Sequence, residues 1–207
     1  MLGITGPLSI RCFIILTVFG LFTCIGNAGE GLLSFDFKLR STSGEIIDPL
    51  KPKKTKENFN GFVFIFTLTD CPIANSYSPE ISRISKEYRE KGFDLYLIQT
   101  NPNLKIEDAK KHQKEYSLDI EVLLDPHHKL VSVCKAENVP EVIVLSPEKK
   151  ILYKGRINDR NTAYGKRRRQ PSRHDLRLAL ESIFNKTPVE ISRTKVIGCY
   201  IPPLPKI

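Results

Sequence analysis

The stretch Phe62-Val63-Phe64-Ile65-Phe66-Thr67-Leu68-Thr69-Asp70-Cys71-Pro72-Ile73-Ala74-Asn75 decides the fold. Phe62 to Leu68 is almost continuously apolar, as expected of a central strand covered on both faces. Beyond it the period changes. Ile73, Tyr77, Ile81, Ile84 and Tyr88 recur at helical spacing, and Gly92 stops the run, predicting a helix over Ile73–Lys91. Cys71 falls on the turn between the two patterns. Pro72 suits the first helical position, where its missing N–H has no partner to lose. Free N–H groups and partial positive charge at a helix start favour a thiolate, the nucleophilic form of cysteine. Asp70 beside it works the other way. The carboxyl end of a strand is also where open sheets place their sites. Cys71 is therefore read as a reactive thiol that Pro72 helps to expose, rather than as a small buried hydrophobe. Ala74 stands three residues on, so the usual C-x-x-C pair is broken.

Upstream, Phe35–Leu39 and Glu45–Ile47 alternate around Ser41-Thr42-Ser43-Gly44, which reads as a β-hairpin. Lys51 to Asn60 is a charged connector. Downstream come a strand over Phe93–Gln99, a charged helix over Lys105–Tyr116, a short strand over Glu121–Leu124 and a short helix over Lys129–Ala136. Val142–Leu145 and Ile151–Tyr153 flank a Ser-Pro-Glu-Lys turn and make a second hairpin. A final helix over His174–Asn185 turns Leu176, Leu180, Ile183 and Phe184 inward. Alternating strands and helices imply parallel pairing in the middle, and the closing hairpin implies antiparallel pairing. The fold class is α/β, with a central mixed sheet flanked by helices.

The ends differ from this body. In residues 1–28 Arg11 is the only charge, Cys12 to Ile25 is apolar, and Gly26-Asn27-Ala28 offers small residues to a signal peptidase. This is read as a cleaved export signal, with an uncleaved membrane anchor as the alternative. Residues 29–186 form one domain, and the Pro-rich tail 187–207 is extended and irregular. The expected address is the periplasm or cell envelope. Outside the leader the cysteines are Cys71, Cys134 and Cys199, an odd number in an oxidising compartment. Cys134, beside Val131 and Val133, reads as a packed core thiol.

The chain carries a formal net charge of +9. Its densest run is Lys166-Arg167-Arg168-Arg169-Gln170-Pro171-Ser172-Arg173. No aromatic residues interleave it, and an exported protein meets little nucleic acid, so nucleic-acid binding is set aside. What remains is a solvated loop or an anion or partner site built from Arg160, Arg167, Arg168 and Arg169, with Asn158-Asp159-Arg160 pinning the loop. The histidines His112, His127, His128 and His174 show no metal-ligand spacing beyond the adjacent pair. His174 with Asp175 reads as the cap of the last helix.

Two segments together resemble the thioredoxin-like superfamily, in its redoxin or peroxiredoxin-like (AhpC/TSA-type) branch. They are the strand Phe62–Leu68 running into Asp70-Cys71-Pro72, and Asn138-Val139-Pro140-Glu141-Val142-Ile143-Val144-Leu145. The resemblance covers roughly residues 32–185. It implies that Pro140 is a cis proline next to the reactive cysteine, and that Val139 and Pro140 shape the face shown to substrate. Thr69–Asn75, Gly155–Arg160, His174-Asp175-Leu176 and Gly198-Cys199 further resemble a group of exported redoxin-domain proteins. The chain departs from the family at two positions. Ala74 replaces the second cysteine of C-x-x-C. Leu68 replaces the threonine of the peroxiredoxin P-x-x-x-T-x-x-C pattern, whose proline is also missing.

The expectation is a thiol oxidoreductase without cofactor or metal. Cys71 would attack a disulfide or a small peroxide, and Cys199 or an external thiol would resolve the product. Two rivals stand beside it. One is a non-enzymatic scaffold that uses the basic loop. The other is copper handling through Cys71, Cys199 and a histidine.

Overall fold

The structure, a computed structural model, describes residues 37–53 and 58–205; the export-signal reading and Phe35 lie outside them. Its centre is β3 (Gly61–Thr67), buried at every residue. Parallel β4 (Phe93–Gln99) lies on one side of it, followed after α3 (Ile106–Glu115) by parallel β5 (Glu121–Leu124). Antiparallel β7 (Glu141–Leu145) and then β8 (Ile151–Gly155) lie on the other. The N-terminal hairpin, β1 (Leu39–Ser41) and β2 (Ile46–Ile47), completes a seven-stranded mixed sheet in the order β2-β1-β5-β4-β3-β7-β8.

Side chains of β3 alternate between two cores. Phe62, Phe64 and Phe66 face Leu39, Leu50, Phe59 and the helix α4 (Lys129–Cys134). Val63 and Ile65 face α2 (Ser78–Glu90) and α5 (Asp175–Phe184) through Ile81, Ile84, Tyr88, Leu176 and Leu180. Each such side chain contributes about 1.5–3 kcal/mol on burial. This makes β3 the rigid support for whatever follows it.

Several elements depart from expectation. The helix over Ile73–Lys91 is two helices, α1 (Pro72–Asn75) and α2, because Pro79 restarts the second one in its first turn. Strand β1 is Leu39–Ser41, where it pairs with both β2 and β5, and the described residues Phe37 and Lys38 of the expected Phe35–Leu39 stretch lie before it. Phe184 is 40% exposed rather than inward, its ring 5.5 Å from the Lys91 ammonium. His174 occupies the N-cap of α5, but its side chain accepts no capping hydrogen bond. Asp175 instead binds Arg156 at 2.7 Å and Arg173 at 3.1 Å. The basic run folds back as a small hairpin, β9 (Asn161–Ala163) with β10 (Lys166–Arg167).

The tail is irregular for most of its length, yet it is docked. The Lys154 amide donates to Ser192, and the Thr194 amide donates to Lys154, along the edge of β8. Gly155 permits that approach, since a Cβ there would lie 2.0 Å from Thr194 Oγ1. The tail then forms β11 (Cys199–Tyr200) against β6 (Asn138–Val139).

Candidate active site

Phe66 at the end of β3 pairs with Glu141 at the start of antiparallel β7. That register brings the Cys71 turn and the segment preceding β7 to the same end of the sheet. The Val139–Pro140 peptide in that segment is cis. Cys71 is the N-cap of α1, with its sulfur 3.5 Å from the Ala74 amide and 3.6 Å from the Val139 carbonyl. Val139 thus meets the thiol through its backbone oxygen. Pro72 opens α1, and Cys71 itself is 1% exposed.

Cys199 completes the centre. In the antiparallel register of β11 and β6 it stands opposite Val139, and its sulfur lies 2.6 Å from that of Cys71. Both cysteines are free thiols. The Ile201 amide donates to the Glu137 carbonyl at 3.0 Å and extends the ladder. The approach depends on Gly198, where a Cβ would lie 2.1 Å from the Val139 oxygen. The hydroxyl of Tyr164, in the β9–β10 turn, donates to the Gly198 carbonyl and holds the strand from outside. Burial first, then the hydrogen bond and charge of Cys71 and the charge of Asp70, push the Cys199 thiol up to about 12. Cys199 therefore holds its proton at neutral pH.

A cavity of about 340 Å³, lined by Leu68, Asp70, Asn101 and Tyr200, borders Cys71 and Cys199. Tyr200 is 75% exposed at its mouth. Cys134 lies apart in the core, where burial pushes its thiol up to about 12. The basic residues stand on the other flank of α1. Arg168 pairs with Asp159 at 3.5 Å, and Asp159 also accepts from the Ser172 and Arg173 amides. Arg160, Arg167 and Arg169 have no carboxylate partner among the described residues. Among those residues no group of three His, Cys, Asp or Glu side chains is placed to hold a metal ion. None of their helices is long and apolar enough to cross a membrane.

Tyr164 and Asn101 were not singled out from the sequence. Gly165, whose φ is +70°, is the turn signal that marks this hairpin in the sequence. Nothing local to Asn101 marks it.

Residues 34–154, more than half of the chain and inclusive of Cys71 and Pro140, match the model of the AhpC/TSA family. The chain belongs to the AhpC/TSA family. This carries thiol oxidoreduction as its general class of chemistry. No curated protein sequence matches significantly. Among solved structures, an uncharacterized conserved protein from Geobacillus kaustophilus superposes with a TM-score of 0.68 at 22% identity, covering 83% of this chain and 90% of its own. A hypothetical protein from Sinorhizobium meliloti gives a TM-score of 0.68 at 20% identity, covering 81% and 90%. A putative thioredoxin from Neisseria meningitidis gives a TM-score of 0.54 at 18% identity, covering 74% and 91%, and at this identity the likeness establishes the fold, which is thioredoxin-like. The AhpC/TSA match ends at Gly155's neighbour Lys154, so the tail that carries Cys199 lies beyond it.

Proposed function

We propose that this protein is an exported thiol–disulfide oxidoreductase with Cys71 as its nucleophile and Cys199 as its resolving cysteine. The observation that carries this reading is the 2.6 Å separation of two sulfurs that are 128 residues apart in the chain. An AhpC/TSA domain without C-x-x-C has here a second thiol supplied by the tail.

The Cys71 thiolate attacks one sulfur of a substrate disulfide, forming a mixed disulfide and releasing the first substrate thiolate. With the tail docked Cys71 is covered, so this step requires β11 to lift from β6. Once Cys71 is bonded to substrate, it no longer hydrogen-bonds to Cys199 or places charge beside it. Two of the causes that hold the Cys199 proton are then gone. The Cys199 thiolate attacks the Cys71 sulfur and releases the second substrate thiolate. The substrate gains two electrons, and the Cys71–Cys199 pair is left as a disulfide for an external thiol to reduce. A reactive dithiol pair of this kind suits an oxidising compartment, in keeping with the export-signal reading of residues 1–28.

The test is trapping. Cys199→Ser incubated with a disulfide substrate accumulates a mixed disulfide at Cys71, read by mass spectrometry, while Cys71→Ser accumulates none and loses turnover. Turnover surviving in Cys71→Ser would overturn the assignment. A sulfenic acid formed on Cys71 by peroxide, without disulfide turnover, would move the substrate to peroxides. Two inert thiols would leave the scaffold reading.

A further inference from the structure

Between the start of α2 and the loop after β10 lies a cleft of about 240 Å³. Arg83, Arg160, Arg169 and His174 line it, and Glu80 is the one carboxylate in its walls. Glu80 is already engaged, by Arg83 at 2.7 Å and by Arg177 at 2.8 Å. Arg160 is not. Its backbone is fixed, the amide donating to Asn158 Oδ1 at 3.0 Å and the carbonyl accepting from the Arg168 amide at 2.7 Å. Its Nε is buried and has no hydrogen-bond partner among the described residues. Its neighbour Asp159, the nearest acid in sequence, is committed to Arg168 and to two backbone amides.

A buried donor left unpaired loses the hydrogen bond that water gave it in the unfolded chain. Here the donor belongs to a cation, and the remaining wall charge is positive through Arg169. A guanidinium matches the planar fork of a carboxylate or the face of a phosphate. The volume lies below the roughly 300–1,000 Å³ of sites for drug-sized ligands, so it suits one anionic group rather than a nucleotide. We propose that this cleft is an oxyanion site, with Arg160 as the cation of its wall and Arg169 closing it from the rim. It takes a single carboxylate or phosphate group.

The site flanks the redox centre. Ser76 also lines a neighbouring cavity of about 230 Å³ that runs along Pro72 and Ile73 to the turn bearing Cys71. An anion held at Arg160 therefore sits beside α1.

The experiment is calorimetric titration of the full chain with inorganic phosphate and, separately, with a short glutamate-rich peptide. Saturable binding of at least one probe is expected. Arg160→Gln should weaken it by about tenfold or more, the worth of one charge-assisted hydrogen bond. Arg169→Gln should weaken it less. Arg167→Gln, which lies outside the cleft, should leave it unchanged. Binding of phosphate alone assigns a free ion, and tighter binding of the peptide assigns a partner's carboxylate. No saturable binding of either probe overturns the proposal, as does unchanged affinity in both Arg160→Gln and Arg169→Gln. If Arg160→Gln fails to fold, the exposed Arg169→Gln decides, and unchanged affinity there overturns it. Cys71 chemistry is not read by this titration, so a failure here is distinct from a failure of the redox assignment.

Discussion

Replacing Gly198 with alanine should uncouple the two cysteines without unfolding the domain. The new Cβ would lie 2.1 Å from the Val139 oxygen, 2.7 Å from its carbonyl carbon and 3.2 Å from the Pro140 nitrogen. All three are backbone atoms of a segment locked between β6 and β7, so the tail must yield by about an ångström. Overpacking of this kind costs about 1–3 kcal/mol. That cost falls on docking of β11, where the next residue is Cys199. The fraction of chains holding the two sulfurs together should fall by about 5- to 150-fold. The assay equilibrates wild type and Gly198→Ala in glutathione buffers, quenches with acid and measures the Cys71–Cys199 bridge by mass spectrometry. The variant should need a more oxidising buffer by that factor to reach half bridging. Thermal unfolding of the reduced forms should stay close, because Gly198 meets the first core only at its edge, through the backbone of Val139, and the second core does not include that segment. Half bridging at the wild-type buffer ratio would refute the claim that this close approach sets the pairing.

Cys134 should resist alkylation at pH 8 in the folded protein and react only on unfolding. A thiol pushed up to about 12 is ionised to about one part in ten thousand there; peptide mapping after iodoacetamide checks this. Asp125→Ala should lower stability by about 2–4 kcal/mol in a urea titration. The buried carboxylate accepts from the Lys129, Leu130 and Val131 amides at the start of α4, and three donors would lose their partner. Arg177→Ala should cost about 1.5–3 kcal/mol, since the guanidinium bonds both Glu80 and Glu87. Burial tends to raise the Glu80 carboxyl, but Arg177 and Arg83 outweigh it and hold it below its ordinary 4.5. A carboxyl lowered in the folded state adds stability that is complete above that ordinary value. The contribution is lost as pH falls through the lowered folded value. Wild type should therefore lose stability on acidification below about pH 4.5 more steeply than Arg177→Ala, as read by urea midpoints across pH.

The parts of the fold that repeat a short pattern were legible in the chain. Phe62–Leu68 announced a strand covered on both faces because both of its cores demand apolar side chains. Phe93–Gln99 and Glu121–Leu124 match β4 and β5 in extent for the same reason. The helix after Cys71 reads as one in the sequence because its apolar period runs unbroken from Ile73 to Tyr88. Period alone does not register that Pro79 lacks an amide hydrogen. By spacing Phe184 faces inward, but as the last residue of α5 it is 40% exposed, with its ring beside the Lys91 ammonium.

The sequence by itself determined that Cys71 ends a central strand, opens a helix and lacks the usual partner at Ala74, because these are facts of neighbouring residues. Only the tertiary structure decided where a partner stands. Cys199 reaches Cys71 because Gly155 lets the tail lie along β8, Gly198 lets it press against Val139, and β11 pairs with β6 in a register that sets Cys199 opposite Val139. The same is true of the arginines, which form one run in the chain. Asp159 claims Arg168 while the Nε of Arg160 stays buried and unpaired, a division made by packing around the β9–β10 hairpin. Pairings across such distances depend on the close approach of backbones. A linear pattern does not encode that approach until the sheet has brought the segments together.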